Sequence, residues 1–425
     1  MTRKLLFTER VLYGDGHTPF NGVFAMKLKG RLLEGVLDTA LAKVQAKHPL
    51  LRAAVKLDEK GCPFFVVREK APPIPIRREV RRSEEDWQAE SVKEWAIPFD
   101  TEEGPLLRVV WLASEDCCDL ILAFHHCMCD GGSVVTIVRE LLALMDHPEE
   151  EIGRYEAFTS LKELLPGKSL DIKKKVKARL LSTVLRMGLL YAAARIRTRD
   201  KEPPGREGDY LLHWKLDKMT SSMVLGYCKD AQVTVNTVLC VALLSAFRTV
   251  RGEKAHNKLM CPVDIRKYNP AMKEDELFAF GLAISLSMED GDGWGFWRKA
   301  AHMQEQATRQ MKKLDAGELL LTLEYSHAAV RPMIKVLTYA EPGNDLMFSN
   351  LGRVDIRSVY RSFEVETIYS PTIIGPFGNP TTLITTTFRD QMDFCLVSNE
   401  ACLPRAEAEI IRGKAMQLLI EKCML

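Results

Sequence analysis

Two adjacent histidines, an aspartate four residues further on and two glycines are the residues of this chain best suited to chemistry. They are His125, His126, Asp130, Gly131 and Gly132. Histidine titrates near neutral pH and is the usual general base for moving a proton. Because neighbours on a strand face opposite sides, the two histidines should have different roles and should not bind one metal ion together. The pattern predicts a proton-transfer site without a metal.

The flanking residues predict a strand before this cluster and a helix after it. Residues 120–124 form a short run of large apolar residues, which is typical of a buried strand. Apolar residues then recur at the spacing of one helix face, at Val134, Val138, Leu141 and Met145. The chemistry would lie in the tight turn between them, where a rigid scaffold presents backbone N–H groups.

Asp130 has two interpretations at this position. Its carboxylate could cap the helix by accepting a hydrogen bond from the N–H of Ser133. It could instead pair with a cation and hold the turn so that one histidine is aimed. The histidines also have a plainer alternative, as two half-buried side chains with satisfied hydrogen bonds.

The string His125-His126-x-x-x-Asp130-Gly131 resembles the signature of the condensation-domain and CoA-dependent acyltransferase superfamily, which has the chloramphenicol acetyltransferase-like fold. The resemblance implies that His126 is the base, that His125 and Asp130 hold the turn, and that Gly131 lets substrate approach the backbone. A second string, Pro-Val-Asp-Ile-Arg ending at Arg266, is similar to a family element whose arginine pairs with the motif aspartate. The implied ion pair joins Asp130 and Arg266, and a buried carboxylate does need such a partner.

A third string, Ser349-Asn350-Leu351-Gly352, resembles a segment of stand-alone acyltransferases, such as alcohol acetyltransferases and polyketide-associated acyltransferases. The resemblance implies a position close to the substrate, with Ser349 and Asn350 as candidate hydrogen-bond donors to an acyl oxygen. An ordinary strand-to-turn Asn-Leu-Gly is the alternative.

The resemblance covers nearly the whole chain and implies an α/β (α+β) architecture. Two chloramphenicol acetyltransferase-like subdomains would meet in a V, with His126 midway along a central tunnel. We assign residues 1–165 to the N-terminal subdomain, 166–205 to a linker and 206–425 to the C-terminal subdomain. Residues 278–286 are predicted to form a buried strand, and a segment near 376–397 is implied to cross back onto the N-terminal half.

The linker contains a predicted helix over residues 172–197 with a basic, amphipathic composition. Its cationic residues are Lys173, Lys174, Lys175, Lys177, Arg179, Arg186 and Arg195. Such a helix can lie on a membrane surface or dock an acidic partner such as an acyl carrier protein. A surface helix with a solvated basic face is the plainer alternative.

The composition is that of a soluble globular protein. Of the 425 residues, 46% are hydrophobic and 27% charged, and the formal net charge of +2 does not point to nucleic acid. The 11 cysteines include no CxxC pair, and residues 1–4 lead into no long apolar run, which predicts reduced thiols and a cytoplasmic location. No run approaches the roughly 18 apolar residues of a membrane span, so no transmembrane segment is expected, and contact with a membrane surface is left open. A monomer is expected because the two halves would complete the tunnel within one chain.

These features predict an acyltransferase that moves an acyl group from a thioester to an alcohol hydroxyl. No cofactor would be bound; acyl-CoA, or an acyl group on the phosphopantetheine of an acyl carrier protein, would be the co-substrate. Two alternatives are an amide-forming condensation enzyme and a non-catalytic fold that binds carrier proteins. The intact histidine motif argues against the second.

Two nucleophilic mechanisms are alternatives to this prediction. A serine hydrolase lacks its G-x-S-x-G elbow here, and Ser133 falls inside the helix start. Cys127 or Cys129 could act as a nucleophile beside a histidine, but small apolar filling is the favoured role for both.

Overall fold

Two large sheets and one small three-stranded sheet make up the β-structure. The structure is a computed structural model. It describes residues 2–30, 34–156, 158–165, 172–196, 205–268, 272–273, 275–288 and 293–424. The strands in this part of the chain are β1 (Thr2–Lys4), β2 (Asn21–Lys29), β3 (Ala53–Leu57), β4 (Pro63–Val67), β5 (Ile76–Val80), β6 (Leu107–Ala113), β7 (Cys117–His125), β8 (Asp209–Lys215), β9 (Lys258–Pro262), β10 (Ala283–Ser287), β11 (Leu346–Arg353), β12 (Glu364–Ile368), β13 (Thr372–Ile374), β14 (Thr382–Phe388) and β15 (Gln391–Asn399). The helices are α1 (Phe7–Tyr13), α2 (Glu34–Lys47), α3 (Asp86–Ala96), α4 (Gly131–Asp146), α5 (Ile172–Arg195), α6 (Lys218–Asp230), α7 (Val235–Arg251), α8 (Phe296–Lys312), α9 (Ala316–Tyr325), α10 (Val330–Tyr339) and α11 (Arg405–Met424).

The N-terminal sheet has the order β12-β2-β7-β6-β5, and β13 also pairs with β2. Its central strand β7 is covered on both faces. Leu120 and Leu122 pack in the core that contains α2 and α4, whereas Ile121 and Ala123 pack with the tryptophans of α3. A strand buried on both faces needs apolar residues at successive positions, which explains the unbroken apolar run in the sequence.

The C-terminal sheet has the order β10-β9-β11-β14-β15-β8. Helices α6, α7, α8 and α11 share one core with it. The segment Val235–Lys254, which contains α7, is long and apolar enough to cross a membrane by composition alone. Its apolar residues, however, lie at the centre of this core.

The two halves are joined by packing and by strand pairing. Trp87 of α3 lies in a buried cluster with Leu211 of β8 and Val397 of β15. β12 and β13 leave the C-terminal half and pair antiparallel with β2, so the implied crossing is confirmed. The crossing segment precedes the expected stretch, because β14 and β15 have neighbours on both sides in their own sheet and offer no free edge.

The α/β architecture of two sheet-centred halves agrees with the prediction. The proposed limits at residues 165 and 205 stay predictions, since residues 166–171 and 197–204 lie outside the described part of the chain. The linker helix forms as α5 and packs against α9 and α10.

Candidate active site

The histidine turn, residues 125–130, joins the end of β7 to the start of α4. The backbone N–H of His125 donates to the carbonyl oxygen of Leu106 at 3.0 Å, and the N–H of His126 donates to that of Phe20 at 2.8 Å. The N–H of Met128 then turns back to the carbonyl oxygen of His125 at 3.1 Å. Both histidines are therefore held to neighbouring chain segments before the backbone reverses into the helix.

His125 has a structural position in this turn. Its side chain is 2% exposed and lies beside the ring of Phe99. Its Nδ1 accepts a hydrogen bond from the N–H of Cys127 at 3.2 Å, so this nitrogen carries no proton. Burial, with smaller effects of His126 and Arg108, lowers the pKa of His125 to about 3. The ring is thus neutral and fixes the backbone of the turn.

His126 is half-buried, and its two ring nitrogens differ in their hydrogen bonding. Its Nδ1 lies 2.8 Å from the carbonyl oxygen of Cys129. A carbonyl oxygen only accepts hydrogen bonds, so Nδ1 carries the proton and Nε2 holds a lone pair. Burial of the ring lowers the pKa of His126 below its ordinary value. Among the described residues none is hydrogen-bonded to Nε2, which leaves a neutral imidazole with an available lone pair.

One aromatic residue that the sequence did not point to contacts His126, and a second packs against the first. The Phe20 ring packs edge-on against His126, with centroids 5.2 Å apart. Phe377, from the loop after β13, packs against Phe20 at 5.2 Å. In the pairing of β2 with β7, Asn21 lies opposite His125, so the preceding residue, Phe20, lies beside the histidine turn. A correct prediction of this strand pairing would therefore have located Phe20. Phe377 is brought in by the second half and had no local signal.

Asp130 makes both interactions that the sequence left open. Its Oδ1 accepts from the N–H of Ser133 at 2.9 Å, which caps α4. Its two oxygens also accept from Nη1 and Nη2 of Arg266, each at 3.0 Å. A bidentate pair fixes orientation as well as charge. The arginine follows β9, so a residue of the C-terminal half holds the histidine turn.

The guanidinium of Arg266 is buried, with its side chain 5% exposed. Nη2 also donates to the hydroxyl of Ser133 at 2.8 Å, and the guanidinium lies 3.9 Å from the centre of the Phe278 ring. Burial by itself would lower the pKa of Arg266, but the carboxylates of Asp130 and Asp264 outweigh it and raise the pKa above its ordinary value. The turn is therefore held by a permanent positive charge.

Ser133 links the start of α4 to a segment that the sequence assigned to a strand. Its hydroxyl donates to the carbonyl oxygen of Phe278 at 3.1 Å and accepts from the N–H of Phe278 at 3.3 Å. The backbone of Phe278 thus bonds to a side chain instead of a neighbouring strand, and β10 begins only at Ala283. The predicted strand over residues 278–286 is wrong at its first five positions for this reason.

Gly131 is contacted from the C-terminal half. A Cβ atom at this position would lie 2.8 Å from Cδ2 of Leu351, which belongs to β11. Real side chains do not approach so closely, so the residue must be glycine or Leu351 must move. The packing of Leu351 therefore explains why residue 131 is glycine. The resemblance implies a different explanation, the close approach of substrate to the backbone.

The candidate donors Ser349 and Asn350 are half-buried on β11. The contact of Leu351 with Gly131 brings the end of this strand to the start of α4. The Oδ1 of Asn350 accepts from the N–H of Gly352 at 2.8 Å, where the register with β14 shifts. In the described part of the chain neither side chain is hydrogen-bonded to the histidine turn, so their role towards an acyl oxygen stays a prediction.

The turn lacks a competent nucleophile. Cys127 and Cys129 are fully buried, and burial raises the pKa of both thiols well above the ordinary value. A thiol, unlike a thiolate, is a poor nucleophile. The hydroxyl of Ser133 is engaged in the hydrogen bonds given above. The residues of the turn therefore favour base catalysis.

Among the described residues, one group has the geometry to hold a metal ion. It comprises His213, Asp393 and Cys395, whose ligand atoms lie within 4.8 Å of one another on β8 and β15. His213 Nε2 and Asp393 Oδ2 are 2.7 Å apart and already share a hydrogen bond. Burial raises the pKa of Cys395 well above its ordinary value, which disfavours a thiolate ligand. The group is explained without an ion, and it does not include the histidine turn.

Comparison with known protein families matches residues 3–153 to the condensation domain. Chondramide synthase from Chondromyces crocatus is 34% identical over 132 residues, which are 29% of this chain and 3% of that synthase. The chain spans only 3–5% of the length of the first curated relatives it matches.

Solved structures align along the whole chain. The polyketide synthase associated protein 5 from Mycobacterium tuberculosis has a TM-score of 0.67 at 16% identity and covers 99% of this chain and 98% of that chain. TRI3 trichothecene 15-O-acetyltransferase from Fusarium sporotrichioides has a TM-score of 0.73 at 14% identity and covers 99% of this chain and 94% of that chain. Isolated condensation domains also align over the full chain. The chain therefore has the predicted fold, which it shares with condensation domains, and its predicted resemblance to the condensation domain is confirmed over residues 3–153.

Proposed function

We propose that the chain transfers an acyl group from a thioester to a hydroxyl acceptor, with His126 as the general base. The observation that carries the proposal is the state of this one ring. Nδ1 is hydrogen-bonded to the carbonyl oxygen of Cys129, and Nε2 keeps its lone pair, with no hydrogen bond to any residue that the structure describes. A base in this state accepts a proton as soon as an acceptor hydroxyl is brought to Nε2.

The reaction needs no covalent enzyme intermediate. The acceptor oxygen attacks the thioester carbonyl while its proton passes to Nε2 of His126. The tetrahedral intermediate then collapses, the C–S bond breaks, and the thiolate takes the proton back from the imidazolium. The buried Cys127 and Cys129 take no part, because burial keeps their thiols protonated. Holding the two substrates together supplies much of the remaining acceleration.

The rest of the turn would keep the base in place. Asp130 caps α4 and is clamped by Arg266 in a bidentate pair. His125 binds the N–H of Cys127 and stabilises the backbone on which His126 stands. We assign no proton-transfer step to Asp130 or His125. We keep Ser349 and Asn350 as candidate donors to the developing oxyanion.

The donor is proposed to be acyl-CoA or an acyl carrier protein, bound as a substrate and not as a resident cofactor. The match of residues 3–153 to the condensation domain supports a second candidate, in which an amine replaces the hydroxyl and an amide forms. The same Nε2 lone pair serves both acceptors, so an acceptor panel has to separate them.

Thiol release from acetyl-, octanoyl- and palmitoyl-CoA tests the proposal, with and without a panel of alcohols and amines. We expect acceptor-dependent release, and we expect His126→Ala to lower it by about 100-fold to 10,000-fold, the usual contribution of a general base. The matched control is His147→Ala, at the opposite end of α4, which should behave as wild type. Release that needs no acceptor and survives His126→Ala would overturn the mechanism.

The pH profile of the same assay reports on the base itself. Only the neutral imidazole accepts a proton, and the pKa of His126 lies below its ordinary value of 6.5 because the ring is buried. We expect kcat/KM to be flat above about pH 6.5 and to fall below it with an inflection on the acid side of that value. An inflection above pH 7 would contradict the assignment.

A further inference from the structure

Helix α5 (Ile172–Arg195) turns apolar side chains away from the protein. Six of them recur along the helix and are 59–76% exposed: Ile172, Val176, Leu180, Val184, Met187 and Tyr191. Their spacing of three and four residues puts them on one face of the helix. The opposite face, which packs on α9 and α10, is buried at the small residues Ala178, Ser182 and Ala193.

This arrangement is the reverse of a surface helix in a globular protein, which buries its apolar face and exposes its polar one. Scattered exposed apolar residues are normal on proteins and need no explanation. Three such scattered residues are Met219 in α6, Ile410 in α11 and Val359 in the segment between β11 and β12. On α5 the exposed apolar residues instead form one continuous face, which is a feature of a binding surface.

The charges of α5 identify the kind of surface that it fits. The helix contains seven lysines and arginines and no acidic residue, in a chain whose formal net charge is only +2. Lys174 and Lys177 pair with Asp315 and Glu318 of α9, at 2.6 Å and 2.8 Å. These two pairs hold the helix on the protein.

Four of the five other cations lie along the apolar face, and the fifth, Lys175, lies towards the docked face. By helical spacing, Arg179 and Arg186 lie on one side of the apolar face, Arg195 on the other and Lys173 within that second edge, and all four are exposed. An apolar face with cations along both borders is complementary to a bilayer whose headgroups are anionic. Long cationic side chains can reach the phosphates while their stems stay with the apolar face.

We infer that α5 is a membrane-surface helix that lies in the interface of a bilayer containing anionic lipid. A straight helix of 24 residues is about 36 Å long and presents a convex apolar rod. A lipid interface can receive such a rod over its whole length, to a depth of about 5–10 Å. An acidic protein partner would need a matching groove of the same length. The bilayer therefore accounts best for both the apolar face and its cationic borders, and this inference does not depend on the proposed acyl transfer.

Flotation of the full chain with vesicles tests the inference. One vesicle set contains phosphatidylcholine alone, and the other contains phosphatidylcholine with phosphatidylglycerol. We expect the wild type to float with the second set and to float less as salt is raised. The triple variant Leu180→Gln, Val184→Gln, Met187→Gln should lose at least about tenfold in partitioning, because three exposed apolar side chains no longer enter the interface.

The matched control is the triple variant Met219→Gln, Val359→Gln, Ile410→Gln, which removes three comparably exposed apolar side chains from other elements. It should float as the wild type does. Arg186→Gln should weaken flotation by about fivefold, and only with the anionic vesicles. Far-ultraviolet circular dichroism checks that each variant is folded.

Three results would overturn the inference. The wild type could remain unbound with both vesicle sets. The α5 triple variant could float as well as the wild type. Alternatively, sedimentation equilibrium or binding to an acidic acyl carrier protein could show that this face is covered by a second copy or by a protein, without vesicle binding.

Discussion

Each half of the chain contains an interior strand, a five-residue turn and a helix, in the same order. In the N-terminal half β7 leads through residues 126–130 into α4, and in the C-terminal half β15 leads through residues 400–404 into α11. Only the first turn begins with a histidine pair, whereas the second contains Glu400 and Cys402. The order and length of the elements are shared, so any difference in chemistry must come from the residue types and from what contacts them.

The C-terminal turn is satisfied within its own half. Asn399 stands where His125 stands in the other turn, and its amide donates to the carbonyl oxygens of Gly205 and Glu207 at 3.1 Å and 3.2 Å. Glu400 accepts from the N–H of Arg405 at the helix start, at 3.1 Å. The histidine turn differs because its aspartate is held across the seam, by Arg266. A turn tied to both halves is positioned by the whole fold, which the proposed transfer between two substrates would require.

Asp130→Ala should have the largest effect, because it removes the ion pair by which Arg266 holds the histidine turn. The substitution leaves the buried charge of Arg266 with Asp264 as its remaining carboxylate, at 3.2 Å. We expect a loss of about 3–5 kcal/mol in the free energy of unfolding, which includes the lost helix cap. Urea unfolding measures it.

The matched variant is Glu400→Ala, which removes an acceptor for the start of α11 without stranding a buried charge. It should cost about 1 kcal/mol or less. Equal losses for the two variants would show that the pairing across the seam adds nothing to a local cap.

Gly131→Ala should have the next largest effect. The new Cβ would meet the end of the Leu351 side chain at 2.8 Å, and moving that side chain aside costs about 1 kcal/mol, the low end for overpacking. Adding Leu351→Ala should recover part of that loss, so the double variant should be less destabilised than the sum of the two single variants. Gly413→Ala in α11 is the control, because no atom lies within 4 Å of its added Cβ. It should stabilise the protein by up to about 1 kcal/mol. Strict additivity at Gly131 and Leu351 would argue against the contact.

The last expected effect depends on pH and concerns His125. Its pKa is about 3 in the folded chain and near 6.5 when unfolded, so the unfolded state binds more protons between these values. Stability should therefore be complete above about pH 6.5 and fall by about 1 kcal/mol per pH unit below it. His125→Asn, which imitates Asn399 and keeps an acceptor for the N–H of Cys127, should show a shallower fall from pH 6.5 to 4. Identical slopes in urea unfolding would contradict the burial of a neutral ring.

The sequence predicted the parts of the site that are local. The apolar run, the helix face and the cap by Asp130 follow from residues within one strand, turn and helix. Arg266 lies 136 positions away from Asp130 and was found only through the family resemblance. The two interpretations of Asp130 were both right, because a carboxylate has enough lone pairs to cap a helix and to pair with an arginine.

Contacts that depend on the second half were not predictable from local patterns. The contacts of Leu351 with Gly131 and of Phe377 with Phe20 arise because separate elements converge, and neither Leu351 nor Phe377 is distinctive by type or spacing. The sequence also did not predict which face of α5 packs against the protein. Periodicity showed a helix with apolar and basic residues, but the small Ala178 and Ser182 form the docked face, and the large apolar residues face outward.

The pairing of β12 and β13 with β2 has a consequence for how this fold can be divided. Without residues 364–374, the nine-residue strand β2 would become an open edge whose backbone groups seek another chain. An N-terminal half produced alone should therefore aggregate. Exchange of halves between related chains would have to move these eleven residues together with the N-terminal sheet, so the N-terminal structural unit is not a contiguous stretch of sequence.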